Sequence, residues 1–295
     1  MTIRQEMRAA AGRAKALLGD RGARAAGFIA DQEDPAGGFR GRGRRGDLYY
    51  SVFALEALAA LDASVPRAGT ASWLGSFGAG EDLDLVHLAC LARCWADLDE
   101  PGAGGSAEAI LARVEAHRSA DGGYGTVRSC PVGSAYACFL AVATYQDLQT
   151  PLCDPRRTAA CLVALRAEDG GYSNSPNMPV GGTAATAAAV TALRHLDCEV
   201  DESAARWLTA RRGTDGGFSA WPGAGASDLL STAVAVHALA GLRAPLDDIR
   251  ERCTRFVNSL WSAGGGFRGC AGDEVFDCEY TYYGLLALGH LSDPK

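Results

Sequence analysis

The chain has 295 residues, of which 48% are hydrophobic and 21% are charged, and its formal net charge is −7. An acidic chain of this kind offers no large basic face to a phosphate backbone, so we expect no nucleic-acid partner. No apolar run approaches the roughly 20 residues that a membrane-spanning helix needs. The opening segment MTIRQEMRAAAGRAKALLG carries charges throughout, unlike a secretory signal. These features predict a cytoplasmic protein without a membrane span.

A Gly-Gly-aromatic turn recurs five times along the chain, at residues 37–39, 122–124, 170–172, 216–218 and 265–267. The second glycines of successive turns lie 85, 48, 46 and 49 residues apart, so the first gap fits two units. The Gly-rich stretch SFGAGEDLDL at 76–85 is where the missing turn is expected. The spacing therefore predicts one domain over 1–295, built from six repeats at roughly 24–61, 70–98, 106–147, 154–196, 202–242 and 248–291.

Each repeat begins with a helix of mixed polarity, such as ESAARWLTARR, and ends with one that is apolar nearly all round, such as DLLSTAVAVHALAGL. The first kind is typical of a helix on the surface and the second of a buried helix. Because glycine tolerates left-handed backbone angles, we expect the first helix to end at the Gly-Gly pair, with the aromatic residue folded back onto its last turn.

Hairpins that always bury one helix are typical of solenoids, whose terminal repeats need polar outer faces. The last repeat instead contains TYYGLLALGHL, which is apolar. Closure of the chain into a ring would remove the need for polar ends. The predicted fold is therefore an all-α (α/α)6 toroid with an inner and an outer ring of helices.

Six hairpins with such turns resemble the superfamily of protein prenyltransferase β subunits and class II terpene (squalene) cyclases, over residues 24–291. The stretches PGAGASDLLSTAVAVHAL and GDEVFDCEYTYYGLLALG look most similar to the β subunit of Rab geranylgeranyltransferase. This resemblance implies a central apolar funnel that binds a prenyl diphosphate and transfers the isoprenoid to a thiol or another acceptor. It also implies a zinc ion and a separate helical α subunit.

The residues that the family uses for chemistry are only partly present. Of its three zinc ligands the Asp is kept as Asp228, but Leu230 and Tyr280 stand at the Cys and His positions, so a zinc cofactor is doubtful. The family's diphosphate-binding His matches the stretch 179–182, and its Arg and Lys match positions near Trp221 and Ala224. The acid motif DxDD of the cyclases matches the run DLLSTA at 228–233, which keeps only the first carboxylate.

An arginine-rich turn in the first repeat, GGFRGRGRRGDLYYS, is the strongest functional signal that remains. Its Arg42, Arg45, Asp47 and Tyr50 resemble in spacing the Arg, Lys, Asp and Tyr of the family's fifth unit. Arg42, Arg44 and Arg45 could bind a diphosphate or another anion through forked hydrogen bonds. The alternative is a solvated loop whose arginines pair with carboxylates of neighbouring loops.

Several polar residues at or within the buried helices have two readings. Asp47, Asp228 and Asp277 each stand where a buried helix begins, and could cap that helix or contact a metal or substrate. A second group, Asp84, His87, Cys90 and Cys94, lies on one face of a single helix and has ligand types that suit zinc. One straight helix cannot surround a tetrahedral ion, so packing in the core is the competing interpretation, as it is for His237.

Aromatic residues concentrate in the first, fifth and sixth repeats, which become neighbours when the ring closes. They could form one wall of an apolar pocket and are Tyr49, Tyr50, Phe53, Trp221, Phe276, Tyr280, Tyr282 and Tyr283. The candidate substrate contacts are accordingly Arg42, Arg44, Arg45, Tyr50, Trp221, Tyr280 and Tyr283.

Three functions stay open at this point. The first is a prenyltransferase-like protein that binds an isoprenoid in its funnel and transfers it. The second is a non-catalytic toroid that binds a peptide or another protein, and the third is an enzyme of the terpene cyclase kind.

Overall fold

The computed structural model describes residues 1–100 and 107–292. The start of the third predicted repeat, at residue 106, lies outside the described residues. The helices and strands in chain order are α1 (Ile3–Gly12), α2 (Lys15–Leu18), α3 (Arg21–Ala30), β1 (Phe39–Arg40), β2 (Gly46–Asp47), α4 (Leu48–Ala60), α5 (Arg67–Gly75), α6 (Leu85–Asp97), α7 (Ala107–Glu115), α8 (Ala135–Asp147), α9 (Pro155–Ala164), α10 (Thr183–His195), α11 (Glu202–Thr209), β3 (Phe218–Ser219), β4 (Ser227–Asp228), α12 (Leu229–Gly241), α13 (Asp247–Ser259), β5 (Phe267–Arg268), β6 (Phe276–Asp277) and α14 (Cys278–Leu291).

The apolar helices form a closed ring. Helices α4, α6, α8, α10, α12 and α14 each pack against the next, and α14 packs against α4. Helices α3, α5, α7, α9, α11 and α13 precede them in the chain and lie outside the ring, where half or more of their residues keep contact with solvent. The predicted all-α toroid of six hairpins with inner and outer rings is confirmed.

The turns between the paired helices differ from the prediction in one respect. Helix α3 ends at Ala30 and α9 at Ala164, well before the glycine pairs at 37–38 and 170–171, so the expected helix end at Gly-Gly is wrong. The first glycine of each pair does adopt a positive φ, from 92° at Gly170 to 106° at Gly37. The pair belongs to a separate tight turn, which leads into a two-residue strand in the first, fifth and sixth hairpins.

A hydrogen bond ties each of these turns to the inner helix that follows. The backbone N–H of the aromatic residue donates to a side chain in the first turns of that helix, namely Phe39 to Ser51 (2.8 Å), Tyr124 to Cys138 (3.3 Å), Tyr172 to Thr186 (2.9 Å), Phe218 to Thr232 (2.9 Å) and Phe267 to Thr281 (3.2 Å). Buried backbone donors need a partner. Ser, Thr or Cys at this position therefore orients the turn above each inner helix.

Helix α1 lies across the carboxyl ends of the inner helices and closes that end of the ring. It packs against α4, α8 and α14, and its Arg4 reaches Asp97 at the end of α6. Its Glu6 pairs with Arg194 at the end of α10. Gly289 of α14 lets the two backbones meet, because a Cβ there would lie 1.8 Å from the carbonyl oxygen of Ala10.

None of the helices within the described ranges combines the length and the apolar character that crossing a membrane requires.

Candidate functional site

The inner ring encloses a chamber of about 300 Å³. All six inner helices contribute to its wall, and Met7 of α1 lies at its closed end. Small side chains of α10, among them Ala184, Ala187 and Ala188, leave the space that larger residues would fill. A volume of this size is at the lower end of the range for small-molecule sites.

Aromatic rings form much of the remaining wall. Tyr49 and Phe53 of α4 lie beside Tyr282 and Tyr283 of α14, with ring centroids 5.4 Å apart between Phe53 and Tyr283. Tyr136 and Phe139, which sequence reasoning missed, add rings from α8. Ring closure thus brings aromatic residues of the first and sixth hairpins together on one wall.

At the amino ends of the inner helices, a recess of about 420 Å³ adjoins the chamber, with which it shares Ala184 and Leu230 in its lining. We call this recess the mouth. Its polar lining consists of Asn174, Asp228, Ser231, Asp273 and Tyr280. In the described chain no basic residue lines it, so the mouth is acidic.

Asp228 lies in the mouth and caps α12. Its Oδ1 accepts the N–H of Ser231 at 2.7 Å, and its Oδ2 accepts the Ser231 hydroxyl at 2.8 Å. Burial raises the pKa of the Asp228 carboxyl above its usual value, although these hydrogen bonds oppose the shift. The side chain is therefore both a helix cap and a partly buried acid at the entrance of the chamber.

Arg42 bridges the first and sixth hairpins. Its Nη2 donates to Asp273 at 2.7 Å and its Nε to Asp277 at 3.3 Å, and its guanidinium lies 5.8 Å from the ring centroid of Tyr280. The hydrogen bond with Asp273 raises the pKa of Arg42 further. Arg44 and Arg45 are exposed beside it.

The other predicted contacts divide between chamber, mouth and surface. Tyr283 lines the chamber and Tyr280 lines the mouth. Tyr50 packs its ring over Gly41, where a Cβ would lie 2.1 Å from it, and belongs to the lining of neither. Trp221 is 57% exposed on a loop, also outside both linings.

The residues at the family's zinc position do not fit the metal. Leu230 has no donor atom and Tyr280 stands at the histidine position, so Asp228 is the one side chain of the family's ligand set that is present. Within the ranges that the structure describes, no group of three or more His, Cys, Asp or Glu side chains could hold a metal ion. We therefore derive no reaction step through zinc.

The four candidate zinc ligands on α6 do not meet at one site. Asp84 caps α6 and accepts a hydrogen bond from the His87 ring at 2.8 Å. Cys90 faces the chamber, where burial raises its thiol pKa to about 12, and Cys94 is buried. These thiols are protonated packing residues at neutral pH.

Charged side chains at the closed end of the chamber are the feature that sequence reasoning missed. Arg93 of α6 lies 3.2 Å from Asp147 and 3.5 Å from Glu56, while Arg4 of α1 reaches Asp147 at 3.1 Å. Burial raises the pKa of the Glu56 carboxyl. Single charges inside apolar helices, such as Glu56 in VFALEALAAL, were the signal available in the sequence.

A histidine pair lies beside these charges. His237 lines the chamber, and its Nδ1 is 2.9 Å from Nε2 of His290. Burial lowers the pKa of His237 to about 4 and also lowers that of His290, so both rings are neutral near pH 7. The hydrogen bond from His195 holds the pKa of Glu6 at about 2.

The closed ring with its axial chamber places the protein among the α/α toroids. The family model of the prenyltransferase alpha-alpha toroid domain matches residues 14–219 and 185–294. The chain belongs to that family.

Solved structures share the fold at low sequence identity. A variant of the type II terpene cyclase MstE from Scytonema, in complex with geranylgeranyl dihydroxybenzoate, is 11% identical over 94% of this chain and 97% of that one, with a TM-score of 0.66. Protein geranylgeranyltransferase-I of Candida albicans, complexed with GGPP, is 17% identical over 70% and 66%, with a TM-score of 0.57. A glycosidase in complex with glucose is 12% identical over 94% and 96%, with a TM-score of 0.60. No curated protein sequence matches the chain.

Proposed function

We propose that the protein binds an uncharged isoprenoid in the central chamber, with the alcohol end of the ligand at the acidic mouth. The observation that carries the proposal is the aromatic and alanine lining of a chamber that all six inner helices enclose. Burying apolar ligand surface there is favourable by roughly 25 cal/mol per Å². The similar cyclase and transferase structures hold geranylgeranyl ligands, which supports this class.

The acidic mouth argues against a prenyl diphosphate as the ligand. Carboxylates of Asp228 and Asp273 line the mouth, and the nearby Arg42 is already paired with Asp273 and Asp277. A diphosphate would have to displace these pairs and lie beside like charge. Arg44 and Arg45 remain as a surface site for anions, separate from the chamber lining.

Binding is tested by titrating the purified protein with farnesol, geranylgeraniol and their diphosphates in a calorimeter. We expect the alcohols to bind and the diphosphates to bind more weakly. The triple change of Arg42, Arg44 and Arg45 to Ala serves as the control, and should leave binding of the alcohols unchanged. Tight diphosphate binding that this triple change abolishes, or stoichiometric zinc by elemental analysis, would instead support a prenyltransferase.

Acid-initiated cyclisation is the second candidate function, and Asp228 is the observation that favours it over transfer. A partly buried carboxyl with a raised pKa at the entrance of a hydrocarbon-binding chamber can donate a proton to an alkene. The matched cyclase chain is covered over 97% of its length, so a chain of this size suffices for a cyclase in that protein. The second and third carboxylates of the cyclase motif are missing, so Asp228 would have to act alone as the acid.

The variant Asp228→Asn keeps a helix cap but removes the acid. We expect it to bind farnesol like the wild type and to abolish any cyclised product found by gas chromatography. The matched control is Asp47→Asn, which changes the corresponding cap of α4 outside the linings of the mouth and chamber. Equal product from wild type and Asp228→Asn would remove Asp228 from the mechanism, and binding without product in either protein would indicate a carrier.

A further inference from the structure

The closed end of the chamber is polar, in contrast to its walls. We call the residues that line this end the inner polar cluster: Arg93, Thr144, Asp147, Thr191, His237 and Tyr282. They come from five inner helices, α6, α8, α10, α12 and α14, and Glu56 of α4 and Arg4 of α1 lie behind them. A hydrocarbon end of a ligand would gain nothing from contact with these groups.

Several buried atoms of the inner polar cluster have no hydrogen-bond partner within the described residues. They include Nη2 of Arg93 and Nε2 of His237, and Oδ2 of the neighbouring Asp97 is in the same state. The Tyr282 hydroxyl hydrogen bonds with Glu56 and can still take a second partner, because a hydroxyl group both donates and accepts. Tyr282 is 1% exposed, so bulk water does not reach it. Leaving a buried donor or acceptor unsatisfied destabilises the folded protein. Such groups are therefore poised for a polar group that enters the chamber.

The types of the unpartnered atoms restrict what that group can be. An arginine nitrogen only donates, so the entering group must be a hydrogen-bond acceptor, which excludes an ammonium group. Three arginines, Arg4, Arg8 and Arg93, face three carboxyl groups, Glu56, Asp97 and Asp147, so the cluster holds no surplus positive charge for a carboxylate or phosphate. A neutral oxygen satisfies both conditions.

We propose that the inner polar cluster binds a hydroxyl or carbonyl oxygen at the inner end of the ligand, with Arg93 and Tyr282 as its hydrogen-bond partners. The ligand is then an isoprenoid that is oxygenated at the end remote from the mouth. This inference rests on the proposed function and specifies its substrate class. It also implies that an oxidation reaction precedes this protein, because a plain prenyl chain has no oxygen at that end.

The test compares farnesol with farnesol hydroxylated at its terminal methyl group, by calorimetric titration. We expect the added hydroxyl group to tighten binding to the wild-type protein by roughly tenfold, as one hydrogen bond to a charged partner allows. In Tyr282→Phe and in Arg93→Lys, which keeps the charge but removes Nη2, this gain should fall to less than about threefold. Circular dichroism establishes that each variant is folded.

Tyr283→Phe is the matched control, because Tyr283 lines the same chamber on the same helix outside the inner polar cluster. It should retain the full gain from the added hydroxyl group. Farnesol tests the proposed function and the terminal hydroxyl group tests the inference, so the two can fail separately. Equal affinity of both alcohols for the wild type, or a gain that survives in Tyr282→Phe and Arg93→Lys, overturns the inference alone, and binding of neither alcohol overturns both.

Discussion

At the scale of single residues, the inner helices are defined by what lies at their first turn. Asp47, Asp228 and Asp277 all cap their helices. One helical turn later, a Ser or Thr accepts the backbone N–H of the aromatic residue in the preceding Gly-Gly-aromatic turn. The same few positions therefore anchor both the helix start and the turn above it. A substitution at these positions should therefore also disturb the turns around the mouth.

Thr232→Val tests this arrangement, since it keeps the shape of the side chain but removes the hydroxyl that accepts the N–H of Phe218. Thr232 and Phe218 are both fully buried, so the freed amide finds no water. We expect the free energy of unfolding in urea to fall by about 1–3 kcal/mol. The control Thr209→Val removes a hydroxyl that only bonds within the exposed surface of α11, and should stay within about 0.5 kcal/mol of the wild type. Equal effects in the two variants would contradict the assigned role of Thr232.

The caps and the aromatic wall were predictable from residue type and spacing alone. Asp at the start of an apolar run predicts a cap, and the aromatic residues of the first and sixth repeats meet once the ring closes. The inner polar cluster was not predictable in this way. Whether Arg93 points into the ring depends on the rotation of α6, and its partners Glu56 and Asp147 lie on other helices far away in the sequence.

At the scale of helices, the pattern of apolar residues predicted which helices are buried, but not where every helix ends. The Gly-Gly pairs were expected to end the outer helices, yet these helices end several residues earlier because the pairs form turns of their own. The role of α1 was also missed. Its alternation of Ile3, Met7 and Ala10 with Arg4 and Glu6 fits any amphipathic helix, and only the folded ring shows what it covers.

Gly289→Ala tests the contact between α1 and α14. The new Cβ would meet the carbonyl oxygen of Ala10, so α1 must move away from the closed end of the chamber. We expect a lower melting temperature and faster proteolysis within residues 1–14. Gly12→Ala is the matched control, because its Cβ would approach the carbonyl oxygen of Ala60 only to an ordinary 3.5 Å, and Ala favours a helix over Gly. If Gly289→Ala melts like the wild type, the close approach of these helices is not a constraint.

At the scale of the whole molecule, closure makes the first and last hairpins neighbours. Tyr49 donates to Glu279 at 2.6 Å and Arg42 pairs with Asp273, so the ends of the ring are joined through side chains as well as through packing. Repeat proteins that stay open can unfold unit by unit. Here every inner helix touches two neighbours, and α1 reaches charges at the ends of several of them.

Protonation of the buried histidines should make the folded ring sensitive to acid. The folded-state pKa of His237 is about 4 against 6.5 when unfolded, so its contribution to stability is complete above pH 6.5 and is lost as the pH falls towards 4. Glu6, Arg13, Arg194, His195 and His290 are the charged or titratable groups around it. Relative to His237→Asn, the wild type should lose up to about 3 kcal/mol of unfolding free energy between these pH values.

The measurement is urea unfolding of both proteins at several pH values. The variant still carries Glu6, whose pKa is held at about 2 mainly by the hydrogen bond with His195, so most of the loss of stability below pH 4.5 from that carboxyl group is common to both proteins. A difference between the two proteins that does not change with pH would show that His237 is protonated equally in the folded and unfolded chains.

The depth of the chamber and the lining of its walls are determined by different elements of the fold. Because the walls belong to the six hairpins and Met7 of α1 lies at the base, exchanging one side chain on a ten-residue helix would change how long a ligand fits without touching the ring. Ligand length and wall architecture can thus diverge independently among related chains. Helix α1 therefore both closes the ring and limits the length of the ligand that the chamber accepts.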